Sequence, residues 1–144
     1  MGTLDGGGEI LLDDISVREQ PDGADLEFIQ NGSFDGGSAD HWRMVGNHQR
    51  SQVIVDPEDS GNYVLHLISS GATEYQGNQL ETTFGGGQAV NNGVEYEISF
   101  RAKWLAGSRQ LNTRVYFNRL PKITLLDVPE FNGTPGQQNS RYVA

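Results

Sequence analysis

The sequence predicts an all-β chain folded as an antiparallel β-sandwich of jelly-roll type. Three observations carry this. Residues 95–104 alternate polar and apolar without a break, with Tyr96, Ile98, Phe100, Ala102 and Trp104 on one face and Glu95, Glu97, Ser99, Arg101 and Lys103 on the other. Period two over that length is a long antiparallel strand with one buried face. Turn dipeptides recur along the chain, at Asp5-Gly6, Asp22-Gly23, Asn31-Gly32, Asp35-Gly36, Asn92-Gly93 and Asn132-Gly133. They mark a meander of short strands. Finally, no long segment carries a helical period.

The elements follow in order. Residues 1–8 are glycine-rich and read as a flexible leader. A single sandwich domain is expected over 9–144. Its first strand is Glu9 to Val17. The segment 18–25, with Pro21-Asp22-Gly23, is a polar linker, and Leu26 to Ile29 is a short strand ending at Asn31-Gly32. Strands are expected at His41 to Val45, Ser51 to Val55, Tyr63 to Ile68 and Asn78 to Phe84. After the long strand 95–104 comes Leu111 to Asn118, with Leu111, Thr113, Val115 and Phe117 on one face and Asn112, Arg114, Tyr116 and Asn118 on the other. Lys122 to Val128 follows. The tail from Pro129 to Ala144 reads as loop with a weak edge strand. About nine strands at this spacing suit a sandwich.

Composition narrows the function. The chain has 144 residues, enough for one domain with its own core. A formal net charge of −9 argues against nucleic acid and against anionic membranes as partners. No apolar run approaches the length of a membrane span, and no secretory signal is present. The chain has no cysteine, so disulfides and thiolate sites are excluded. Gly-x-Ser-x-Gly, Walker and His-Glu-x-x-His patterns are missing, and Glu74 and Glu81 are singled out by nothing as an acid pair. His41, His48 and His66 show no zinc spacing. The expectation is a non-catalytic module.

The polar faces suggest what it binds. A row of Asn112, Arg114 and Tyr116 on a rigid strand sets flat apolar area beside planar hydrogen-bonding groups, as a sugar ring requires. If 95–104 and 111–118 form a hairpin, Arg101 joins that face. Strand 78–84 adds Gln79 and Glu81. The candidate ligand contacts are therefore Arg101, Asn112, Arg114, Tyr116, Glu81 and Gln79, with a polysaccharide or oligosaccharide as partner. The bland alternative is a solvated face with pairs such as Glu81 to Arg101. Trp42 and Trp104 are assigned to the core. In the first strand, Asp13 falls in phase with Leu11, Ile15 and Val17, and a carboxylate there needs compensation.

Three motifs carry a family resemblance. Leu26-Glu27-Phe28-Ile29-Gln30-Asn31-Gly32-Ser33-Phe34-Asp35, followed by Trp42, resembles the Asn-Gly-x-Phe-Glu…Trp opening of carbohydrate-binding modules of families four, nine and twenty-two. Gly93 to Phe100 is similar to their central strand, and Ile10-Leu11-Leu12-Asp13-Asp14-Ile15-Ser16-Val17 to their closing strand. The resemblance implies a galactose-binding-like jelly roll, glycan binding, and secretion or cell-surface display as part of a larger bacterial protein. It also implies a structural calcium, with Asp13, Asp14, Asp35 and Asp59 as matching ligands near the loop Asp56-Pro57-Glu58-Asp59. The closing strand stands first here. It is either the end of a preceding module or this domain's own strand supplied from the N-terminus, and the usual second tryptophan strand is missing. A truncated module would expose a sheet edge and invite a homodimer. A structural or adhesive spacer making protein contacts is the alternative function.

Overall fold

The structure, a computed structural model, describes residues 2–3, 7–70, 79–88, 90–91, 93–107, 110–115, 122–127 and 136–143. Residues 2–3, 79, 110, 112–115, 122–127 and 136–143 are described by backbone course. Every strand pairing among the described residues is antiparallel.

The strands in chain order are β1 Gly2–Thr3, β2 Gly8–Glu19, β3 Leu26–Glu27, β4 Trp42–Val45, β5 Gln52–Asp56, β6 Asp59–Ser69, β7 Gln79–Thr82, β8 Glu95–Gly107, β9 Gln110–Val115, β10 Lys122–Asp127 and β11 Gly136–Val143. They form a large sheet in the order β11-β8-β2-β6-β5, a three-stranded sheet β1-β9-β10 and a two-stranded sheet β4-β7, with β3 attached to β2. One core joins them. The large sheet contributes Ile10, Leu12, Ile15, Val17, Leu65, Leu67, Tyr96, Ile98, Phe100 and Ala102. Leu80 of β7 and Leu111 of β9 enter the same core from the smaller sheets. This is the expected sandwich, two layers closing on one set of apolar faces.

Strand β8 follows its sequence period residue by residue. Tyr96, Ile98, Phe100 and Ala102 are buried, while Glu97, Ser99 and Lys103 are half-buried and Arg101 is exposed. Trp104 packs partly buried against the core and donates from Nε1 to the Gly107 carbonyl at 3.0 Å. The Tyr96 hydroxyl accepts from the Asn91 amide at 2.7 Å and donates to the Glu19 carboxylate at 2.8 Å, so its polar end is satisfied inside.

Three expectations are corrected. First, Asp13 does not share a face with Ile15 and Val17. A bulge between Asp13 and Ser16, with Asp14 at φ 50°, inserts one residue and reverses the phase. Ile10 and Leu12 before it, and Ile15 and Val17 after it, all reach the core; Leu11 and Asp13 lie on the sheet's outer face, where register sets them beside Lys103 and Arg101.

Second, β9 does not form a hairpin with β8. It pairs with β1 and β10 in the other layer, so the chain changes sheets across residues 108–109. Third, Glu81 pairs with Arg43, and Arg101 with Asp14. Gly2–Thr3, read as leader, pair with Asn112 and Leu111 on β9. The tail supplies β11, at the edge of the large sheet along β8.

The position of β2 is the largest topological result. It is hydrogen-bonded on both sides, to β6 and to β8. The Asn31-Gly32-Ser33-Phe34 segment docks on its bulge. The Ile15 amide donates to the Gly32 carbonyl at 2.9 Å, and a Cβ at Gly32 would lie 1.9 Å from the Ile15 oxygen. Only glycine admits that approach. The Glu27 carboxylate ties the junction from the other side, accepting from the Ile29 amide at 2.8 Å, the Val17 amide at 3.2 Å and the Ser16 hydroxyl. Phe34, fully buried at φ 55°, packs on Trp42 with ring centroids 5.8 Å apart. The Trp42 indole donates to the Asn31 carbonyl at 2.9 Å.

Candidate functional site

Two polar faces are available, one on each layer. On the layer opposite the large sheet, β4 alternates so that Trp42 and Met44 pack against the core while Arg43 stands exposed. Register sets Arg43 beside Glu81 of β7. The Arg43 Nε donates to Glu81 Oε1 at 2.8 Å, and a terminal nitrogen reaches the Thr83 hydroxyl at 3.4 Å. Both side chains of the ion pair remain open to solvent, 49% and 36% exposed. An exposed pair adds little stability. Its value is geometric, since guanidinium and carboxylate are planar forks with directed hydrogen-bonding atoms.

Gln79 lies two residues before Glu81 on β7, opposite Val45 in register. Asn112 and Arg114 lie on β9, opposite Leu125 and Ile123 of β10. Tyr116 falls outside the described residues. Four candidates, Gln79, Glu81, Asn112 and Arg114, thus belong to strands of the smaller sheets. Arg101 belongs to the large sheet. Arg43 escaped the sequence reading, although the alternation Trp42-Arg43-Met44 already placed it opposite two core residues.

The outer face of the large sheet is more closed. Leu11 and Val64 lie there yet are only 4% exposed. They sit with Asp13, Asp56, Glu58, Asn62, Arg101 and Lys103 around a small open depression. Asp13 is buried, and loss of hydration pushes its carboxyl above the usual range. The side-chain amide of Asn62 donates to it at 2.9 Å and the Asp14 amide at 2.8 Å, which opposes the shift. The Lys103 ammonium spans toward Glu58 at 3.4 Å, and His66 meets Glu9 at 2.9 Å.

The calcium expectation requires six to eight oxygens converging on one point. Among the described residues no three His, Asp or Glu side chains gather into a group able to hold a metal. Each oxygen of Asp13 accepts from an N–H donor, and Asp56 Oδ1 accepts the Glu58 amide within its own turn. Asp14, Asp35 and Asp59 are exposed.

His48 is buried outside both faces. It closes the short helical turn Gly46–His48, and its Nδ1 donates to the Ile68 carbonyl at 3.0 Å. Nε2 has no partner among the described residues. Burial holds its pKa below the ordinary imidazole value. Below about pH 6.5 the unfolded chain therefore binds a proton that the folded chain resists, so stability is present above that pH and lost as the pH falls. Denaturant titrations should show stability declining as the pH falls below about 6.5. His48→Gln should flatten that slope. An equal slope in both proteins would assign the loss to other groups.

The chain is an antiparallel sandwich with an exposed guanidinium–carboxylate pair on its β4-β7 sheet. The chain belongs to the carbohydrate-binding domain family CBM_4_9, whose model matches residues 26–128. No curated protein and no solved structure matches the chain. The family match excludes β2 and β11, the two strands that flank β8. No helix among the described residues is long and apolar enough to cross a membrane.

Proposed function

We propose that this domain binds a glycan, without catalysis, on the smaller sheets that carry β4, β7 and β9, and that it serves a larger extracellular bacterial protein. One observation carries the choice: Gln79 and Glu81 lie on β7 and Asn112 and Arg114 on β9, strands of the two smaller sheets, and Arg43 adds an exposed guanidinium beside Glu81. Sugar hydroxyls pair with such forks two at a time, and family membership supports a saccharide as the ligand. We propose that β2 fills the closing-strand position of this same domain, because it is paired on both sides within the large sheet.

Affinity gel electrophoresis against soluble polysaccharides tests the reading. The expected result is retardation on at least one polysaccharide, weakened tenfold or more, about 1.4 kcal/mol, in Arg43→Ala, Glu81→Ala and Arg114→Ala. Arg101→Ala, on the opposite layer, should bind like the parent. Loss in Arg101→Ala alone would move the site to the large sheet. No retardation on any polysaccharide would favour the spacer function. Running the gels with calcium and with chelator tests whether binding requires a metal. Retardation that survives chelator leaves Asp13, Asp14, Asp35 and Asp59 without a metal role in binding.

A further inference from the structure

The last strand of the large sheet opposite β11 is β5, Gln52–Asp56. It pairs with β6 on one side, and no described strand lies on the other. Proteins usually protect such an edge with lysine, proline or a bulge. Here the run Gln52-Val53-Ile54-Val55 contains no proline and no charge, and the register irregularity comes only after Val55. Val55 is 48% exposed, and Tyr63, its register partner on β6, is 37% exposed. Val53 and Ile54 are half-buried.

The ends of this edge carry opposite charges. Arg50 precedes it, exposed and without an ion pair among the described residues. Asp56 ends it, held by the Glu58 amide at 2.9 Å. An antiparallel pair of two copies centred on Val53 faces Val53 against itself and Gln52 against Ile54. It also brings the Arg50 end of each copy to the Asp56 end of the other. The edge is thus complementary to itself under a two-fold axis, which closes the assembly.

We propose that β5 is a homodimerisation edge, pairing antiparallel with β5 of a second copy and continuing the large sheet across the two-fold. A strand this short buries less than a standard interface, and the net charge of −9 repels copies, so the dimer is weak. The interface lies on the edge of the large sheet, whereas Arg43 and Glu81 belong to the β4-β7 sheet.

The lack of cysteine makes the register directly testable. Facing residues of an antiparallel pair have Cα atoms within disulfide reach. Val53→Cys should therefore cross-link to a covalent dimer on mild oxidation. Val55→Cys, equally on the edge but facing Ser51 in this register, should remain largely monomeric. Sedimentation of the unmodified chain from about 1 μM to 1 mM should show reversible dimerisation, weakened about tenfold by Arg50→Glu. A monomer throughout that range overturns the proposal. So does cross-linking of Val55→Cys that matches or exceeds Val53→Cys, or an Arg50→Glu chain that dimerises like its parent.

Discussion

Gly32→Ala should lower the unfolding free energy by about 3 kcal/mol or more, placing it among the most damaging single substitutions here. The added Cβ falls 1.9 Å from the Ile15 oxygen and 3.0 Å from its carbonyl carbon, and both are backbone atoms. No side-chain rotation relieves such a contact. The chain must move, and moving it breaks the bond from the Ile15 amide to the Gly32 carbonyl. A buried amide left unpaired costs about 1–3 kcal/mol by itself. In a domain of this size the loss corresponds to a Tm lowered by roughly 6–12 °C. Gly36→Ala is the control, because nothing lies within 4 Å of a Cβ there. Guanidinium denaturation of both variants checks the result. A loss below about 1 kcal/mol for Gly32→Ala would mean that the loop does not dock on the β2 bulge as described.

Phe34→Ala should cost about 3–5 kcal/mol, the range for emptying a fully buried aromatic position. The site adds a distinguishing sign. Phe34 holds φ 55°, a left-handed conformation that costs an L residue about 1–2 kcal/mol. The native side chain keeps it there by packing on Trp42 inside the core. Alanine loses the packing and retains the backbone cost. Phe34→Gly loses the packing but sheds that cost. The glycine variant should therefore be at least as stable as the alanine variant, reversing the ordinary order in which glycine is worse by about 0.5–1 kcal/mol. Denaturation midpoints of the two variants decide this. A glycine variant clearly below alanine would show that the backbone at residue 34 is not left-handed.

These two positions belong to one local motif, and they show how far a sequence reading extends. Asn31-Gly32-Ser33-Phe34 with Trp42 was recognisable as a family opening. What the motif does became visible only when the chain closed. Its glycine accommodates a backbone atom seventeen residues earlier, and its phenylalanine fills the core beside Trp42. Likewise, the strand character of residues 9–17 was legible, and the phase reversal at Asp13-Asp14 was not. A bulge changes the count by one residue without leaving a break in composition.

The proposed binding face divides the same way. Glu81 and Arg114 stood out from alternation along their own strands. The partner of Glu81 proved to be Arg43, thirty-eight residues away, rather than Arg101. Which strands face one another depends on loops and sheet changes, such as the one between β8 and β9, that no period along the chain encodes.

The sequence by itself determined that this chain is an antiparallel sandwich of a carbohydrate-binding family, and which residues of β8 are inside. The sandwich and the inside of β8 follow from local rules, the period-two geometry of a strand and the dipeptides that tolerate tight turns, and the family from the three motifs. Only the tertiary structure decided that β2 lies between β6 and β8, that Arg101 and Glu81 stand on different sheets, and that β5 is the last of the described strands in the large sheet. Strand order and register are set by the simultaneous burial of distant apolar faces, a condition on the whole chain.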